Sequence, residues 1–218
     1  MAQKQSAPSR LERRKASTRA ALLHAAQSFL AAGKTNVAVL EITQAADVGM
    51  GSFYNHFESK EQLFEAAVAD VLDRHGALMD QLTAQVDDPA EAFAQSFRLT
   101  GRLHRRQPEL SRVLLRNPTG LFSSDTGLAP RALRDLQAGI DSGRFKVRDA
   151  QLALVTIAGS AFFLGELLHK EPGRDDGEAS DQLTEDLLRM FGVPAKEAHA
   201  LAHRPLPELG TSTSESPT

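Results

Sequence analysis

Apolar residues in this chain recur at spacings of three and four, the period of a helix face, and beyond Pro89 no stretch alternates apolar with polar as a half-buried strand would. A first helix starts at Ser9, where Ser9-Arg10-Leu11-Glu12 has the spacing of a capping box, and runs to Ala32 ahead of Gly33. Its apolar face is Leu22, Leu23, Ala26, Phe29 and Leu30. Val39, Ile42, Ala45 and Ala46 then mark a short second helix, and Asp47-Val48-Gly49 breaks the pattern with two residues that tolerate unusual backbone angles. A third helix from Met50 to Phe57 buries Phe53 and Phe57 and leaves Met50, Gly51, Ser52, Asn55 and His56 outside. Ser59 caps a long fourth helix from Lys60 to about Val86, with Phe64, Val68, Val71, Leu72, Leu78, Met79 and Leu82 on one side. Asp87-Asp88-Pro89 ends it.

Further helices are expected near 89–106, 108–116, 130–142, 149–169, 179–191 and 194–202, with Pro, Gly and Asn at the breaks. The fold class is therefore all-α, with about nine or ten helices. Residues 9–60 form a three-helix head with a helix-turn-helix over 38–57, helix 60–86 links it onward, and 87–204 form a helical body. Residues 1–8 and 205–218 have the composition of disordered ends, and 117–130 and 171–180 read as long mobile loops. Leu152 to Leu168 is apolar around more of its circumference than a surface helix should be, so something must cover it. Small residues at Ala158, Gly159, Ser160 and Ala161 let another helix come close, and Leu183, Leu187, Leu188, Met190 and Phe191 supply a stripe on the next one.

Composition narrows the chemistry. A length of 218 residues with 41% hydrophobic residues supports a substantial core, and no run of 18 or more uniformly apolar residues stands ready to cross a membrane, so a soluble chain is expected. The absence of cysteine removes disulfides, thiolate catalysis and cysteine-ligated metals, and the absence of a signal peptide at the start fits a cytoplasmic location. The net charge of -3 hides an asymmetry: residues 1–60 carry +4 and the remainder -7. A basic head on an acidic body suits contact with DNA by one end.

The stretch Ala38 to Lys60, AVLEITQAADVGMGSFYNHFESK, carries the functional reading. The outer face of its third helix is short, polar and free of carboxylates, as a helix entering the major groove requires. Its wording, Gly51-Ser52-Phe53-Tyr54-Asn55-His56-Phe57-Glu58-Ser59-Lys60-Glu61-Gln62-Leu63, resembles the signature of the tetracycline-repressor family of bacterial transcription regulators, over roughly Arg14 to Ala69. The resemblance implies that Ser52, Tyr54, His56 and Lys60 contact phosphates and that Thr43 and Gln44 touch the DNA backbone. It implies base reading at Met50, Gly51 and Asn55. Arg14 and Arg19, in the basic cluster with Arg13 and Lys15, would add salt-sensitive affinity with little sequence preference. Three positions depart from the family pattern: Ala38 replaces a Thr cap, Asp47 the usual Gly of the turn, and Gly49 a Ser or Thr cap. Asn36 is a candidate substitute cap for the helix that Ala38 leaves bare.

The resemblance also implies a homodimer, formed by the last two long helices of each subunit in a four-helix bundle, here through Leu154, Ala158, Ala161, Leu183, Leu187 and Phe191. Two recognition helices one DNA turn apart then read a palindromic operator. A small-molecule effector pocket is implied in the body, with Phe93, Phe97, Leu103, Leu114, Phe122 and Phe162 as apolar candidates and Arg102, His104, Glu166 and His169 as polar anchors. Phe-rich aromatics favour an apolar or amphipathic effector. The expected function is a ligand-released repressor. Two alternatives stay open: an activator or ligand-requiring DNA binder, and a helical dimeric interaction protein whose head is non-functional. No enzyme or cofactor is expected, since Gly49-Met50-Gly51 lacks a phosphate-loop context and no Gly-x-Ser-x-Gly occurs. His199 and His203, four apart, have metal-sharing spacing, yet no third ligand is evident in the sequence and no metal is expected.

Overall fold

The computed structural model describes residues 9–116 and 128–207. Ten helices lie among them: α1 (Arg10–Ala31), α2 (Val39–Ala45), α3 (Met50–Tyr54), α4 (Lys60–Thr83), α5 (Pro89–Arg106), α6 (Pro108–Arg116), α7 (Leu128–Asp141), α8 (Ala150–Lys170), α9 (Asp176–Met190) and α10 (Ala195–Ala202). No strand occurs among the described residues. Residues 1–8, 117–127 with Phe122, and 208–218 fall outside them, and with these go the expected disordered start and all but the first three residues of the expected disordered tail 205–218.

Local chemistry sets the boundaries. Ser9 Oγ accepts the Glu12 N–H at 3.2 Å while Glu12 Oε2 accepts the Ser9 N–H at 2.6 Å, a complete capping box at the start of α1. Asp88 caps α5 through the Ala90 N–H, with Pro89 at the first helical position, where a missing N–H costs nothing. Helix α9 begins earlier than expected. It starts at Asp176 rather than 179, because Asp175 Oδ1 accepts the Glu178 N–H at 2.7 Å, so half of the expected loop 171–180 is ordered helix. Its Asp-Asp-Gly run has loop composition, and the capping power of the first Asp was overlooked. Helix α4 ends at Thr83, three residues short of Val86, and α7 begins at Leu128, ahead of Pro130.

Two cores organise the chain. The first joins Leu22, Ala26 and Leu30 of α1 with Ile42, Phe53, Phe57, Leu63 and Val71, and it also takes in Leu103 of α5 and Val113 and Leu114 of α6. Helix α6 therefore packs on α1 and ties the body to the head. The second core gathers Phe93, Phe97, Phe145 and Phe191 with Leu136, Ile157, Leu188 and Leu201. Phe93 lies edge-on to Phe145 and Phe191, at centroid separations of 6.0 and 5.4 Å, in the T-shaped geometry that aromatic quadrupoles favour.

Helix α8 packs against α5, α6, α7 and α9. Over its most apolar window it reaches a mean hydropathy of 1.6, enough by length and composition to cross a membrane. Thr156, Gly159, Ser160, Gly165 and Glu166 interrupt its apolar run, so no uniformly apolar stretch of 18 residues marks it in the sequence. Leu152, Val155 and Phe163 stay exposed along it, at 65%, 56% and 70%. The residues expected to meet a second subunit are placed differently. Leu187 and Phe191 are buried in their own subunit's core, Leu183 packs against that core, and Leu154, Ala158 and Ala161 face inward.

Candidate nucleic-acid interface and effector cavity

The turn between α2 and α3 is a Schellman motif built on a residue that is not glycine. Asp47 sits at φ 51°, its N–H donating to the Gln44 carbonyl at 3.1 Å, while the Val48 N–H donates to the Thr43 carbonyl at 3.0 Å. Asp is among the few side chains that enter this left-handed region at modest cost, so the turn survives the departure from Gly. Ala38 offers no side-chain cap; Glu41 Oε1 instead accepts the Ala38 N–H at 3.0 Å, closing the start of α2 from the helix side. Asn36 does not cap α2. Its Oδ1 accepts from Lys60 Nζ at 3.3 Å, and the Val37 carbonyl accepts from the same ammonium at 3.4 Å.

Phe53 is fully buried and Phe57 nearly so, which fixes the rotation of α3 and sends Met50, Gly51, Tyr54 and Asn55 outward. A Cβ at Gly51 would meet nothing, so its smallness serves no packing within the chain and leaves room for close approach from outside. Tyr54 is 60% exposed while its ring packs edge-on to Phe53 at 5.1 Å, a support that stiffens the side chain and leaves the hydroxyl in solvent. Ser52, His56 and Lys60 are half-buried, and Arg14, Arg19 and Gln44 are exposed. Thr43 is placed otherwise than expected: it is 2% exposed and its hydroxyl donates to the Leu40 carbonyl at 2.9 Å, which takes it out of reach of a phosphate. Leu40 stands exposed beside it. Arg19 lies over the Phe57 ring at 5.4 Å, a cation–π contact that anchors α1 beside α3. Burial, followed by the charges of Lys15 and Arg19, pushes His56 below the usual histidine range, which keeps its ring neutral near neutral pH. Lys15 therefore belongs to this surface as well. Among the described residues, none of Arg10, Arg13, Arg14, Lys15, Arg19 and Lys60 forms an ion pair, so their charge is free to meet phosphates.

The body holds a cavity of about 130 Å³ between α4, α5, α7 and α8. Its walls include Met79, Phe93, Phe97, Leu128, Leu154, Ile157, Ala158 and Ala161, while Ser96, Thr100, Asp80, Arg131 and Asp135 bring polar groups to it. Asp80 is held by two arginines, with Arg131 Nε donating at 2.8 Å and Arg134 Nη2 at 2.7 Å. Burial alone would raise the Asp80 carboxyl, but these hydrogen bonds and charges outweigh it and hold it below the usual range. Gly76 gives Arg131 room to cross close to α4, since a Cβ there would lie 2.6 Å from its guanidinium and make the side chain shift. Of the expected pocket residues, Phe93 and Phe97 line this cavity. Leu103 and Leu114 pack in the head-side core, Arg102 pairs with Asp181 at 2.8 Å, Phe162 packs on Phe163, and Glu166 is exposed. His104 and His169 meet across Ser111 Oγ, at 2.7 and 2.8 Å, in a polar cluster outside the cavity lining. The pairing of Asp80 with Arg131 had no signal in the sequence, since residues 51 positions apart on different helices share no spacing rule.

Fold and head together define an all-helical regulator that presents a helix-turn-helix to DNA and keeps a cavity in its body. The comparisons agree. Residues 21–67 match the model of bacterial regulatory proteins of the tetR family, and residues 88–204 match a tetracyclin repressor-like C-terminal domain. The chain belongs to the tetracycline-repressor family. RolR, solved with the ligand resorcinol, is 35% identical, with 90% of this chain and 98% of that one aligned at a TM-score of 0.62. RolR without ligand, also 35% identical, aligns over 87% and 98% of the two chains at 0.67. Two curated repressors share shorter stretches: DhaR of Mycobacterium sp. (strain GP1), 63% identical over 35 residues, and KstR2 of Mycolicibacterium smegmatis, 34% identical over 84. These matches cover 16% and 37% of this chain, and 18% and 41% of the relatives' own lengths.

Proposed function

We propose that this chain is a dimeric transcriptional repressor that leaves its operator when a small hydroxylated aromatic compound enters the body cavity. The observation that carries the reading is that Gly76, Met79 and Asp80 of α4 form part of the cavity wall, on the same helix whose first residue, Lys60, adjoins the recognition helix. A ligand that displaces α4 at the cavity moves the head, and DNA affinity falls by the ligand's preference for the second arrangement. The cavity is close in size to the ~150 Å³ apolar space that holds one benzene ring. Its carboxylates accept from hydroxyl groups, Arg131 and the Ser96 hydroxyl donate, and the related RolR binds resorcinol. Contact with phosphates is assigned to Ser52, Tyr54, His56, Lys60, Arg14, Lys15 and Arg19, and base reading to Met50, Gly51 and Asn55. The exposed apolar stripe Leu152, Val155 and Phe163 on α8 is the proposed centre of the subunit interface, in place of the inward-facing residues named from sequence.

The test is titration of the full chain onto DNA from upstream of its own gene, with and without resorcinol, phenol and catechol. The expected result is specific binding that at least one of these abolishes, with Asp80→Ala raising the required concentration about tenfold through loss of a charged hydrogen-bond acceptor. Specific DNA binding that none of them alters would overturn the effector assignment alone. No preference for any palindrome in a genome-wide selection would overturn the regulator reading.

A further inference from the structure

Helix α10 carries His199, its C-cap residue His203 follows four positions on, both rings are exposed, and the fold brings Glu185 of α9 to meet them. One donor atom from each of the three lies within 4.8 Å of the other two. The hydrogen bonds fix what each ring can offer. His199 Nδ1 is 2.8 Å from Glu185 Oε2, and an ionised carboxylate only accepts, so Nδ1 carries the proton and Nε2 keeps its lone pair. His203 Nδ1 is 2.8 Å from the His199 carbonyl, which also only accepts, so its Nε2 is likewise free to coordinate. The two rings lie with centroids 4.2 Å apart and planes tilted by 33°. Each imidazole therefore keeps an Nε2 for coordination, the two rings stand four residues apart, and the carboxylate behind His199 orients its ring, as carboxylates do behind metal-bound histidines.

We propose that His199 and His203 bind a borderline divalent cation, zinc being the natural probe, through their Nε2 atoms, with Glu185 as the positioning residue and water completing the shell. The site is independent of the body cavity, which includes none of these residues. Because Glu185 of α9 holds the His199 ring of α10, bound metal strengthens the contact between the two helices, and the folded state gains stability that grows with the logarithm of metal concentration above Kd.

The experiment is calorimetric titration of zinc chloride into the chelator-treated full chain, beside His203→Ala, His203→Gln and Glu185→Gln, with thermal unfolding of each protein with and without zinc. The wild type is expected to take up one zinc per chain with a rise in Tm. Both His203 variants lose saturable uptake and the Tm rise, while Glu185→Gln weakens uptake about tenfold. His203 is exposed, so its variants keep the fold, and their metal-free Tm verifies this. Absence of saturable uptake by the wild type overturns the site, as does wild-type affinity in both His203 variants. Unchanged affinity in Glu185→Gln overturns the role given to the carboxylate.

Discussion

Head and body treat charge in opposite ways. The head's basic residues on α1 and at Lys60 form no ion pairs among the described residues, whereas several of the body's arginines are held by carboxylates. Arg98 and Arg102 both grip Asp181 at 2.8 Å, Arg144 bridges Asp88 at 2.8 Å and Glu197 at 2.6 Å, and Arg131 and Arg134 hold Asp80. Burial alone would raise the Asp181 carboxyl, but its two arginines outweigh that and hold it below the usual range. The difference teaches where each region's energy goes. Unpaired surface cations add little to folding and are available for a polyanion, while partly buried pairs lock helices together and make the body a lever rather than a loose bundle.

The sharpest way to break this contrast is to remove one charge from each side. Asp181→Ala strands Arg98, which is 4% exposed, and is expected to cost about 3 kcal/mol in chemical denaturation, since a buried charge loses its partner. Arg14→Ala is expected to change stability by less than about 0.5 kcal/mol. It instead lowers operator affinity and the salt dependence of binding by about one counterion. Equal stability losses in the two variants would dissolve the distinction.

Acid titration separates the regions next. Buried His75, whose Nε2 lies 2.9 Å from Thr100 Oγ1, is pushed down to about 4, first by burial and then by the charge of His104. His104 is also pushed down to about 4, by burial and then by His169. Folded values below the unfolded value mean that the unfolded chain binds more protons between the two. Stability from these groups is therefore complete above about pH 6.5 and lost as pH falls toward 4, on the order of 1 kcal/mol per histidine per pH unit. Urea midpoints across that window in the wild type and in His75→Gln check it; an unchanged slope in the variant would remove His75 from the account.

A smaller gain in stability is expected in the head. Asp47→Gly relieves a left-handed backbone on a residue with a Cβ and is expected to stabilise by about 0.5–1 kcal/mol, read as a small rise in Tm. A loss of stability would mean that the Asp47 side chain makes a contribution its backbone geometry does not reveal.

Most of the head was legible in the chain, because it depends on near neighbours. The Ser9 box, the burial of Phe53 and Phe57, the left-handed residue at Asp47 and the outward face from Met50 to Asn55 all follow from spacings of a few residues. Thr43 was the exception, since a hydroxyl can turn back to a carbonyl one helical turn away, and the residue type alone does not say which. In the body, sequence determined that helices form and roughly where, but not their neighbours. Leu103 and Leu114 went to the head-side core, and Leu187 and Phe191 to their own subunit's core, because an apolar stripe states that a face is buried without naming what buries it. The cavity's Asp80 and Arg131, and the convergence of Glu185 on His199 and His203, exist only once distant helices pack. Period and capping are local properties of a chain, whereas which charges meet is decided by the packing of elements far apart along it.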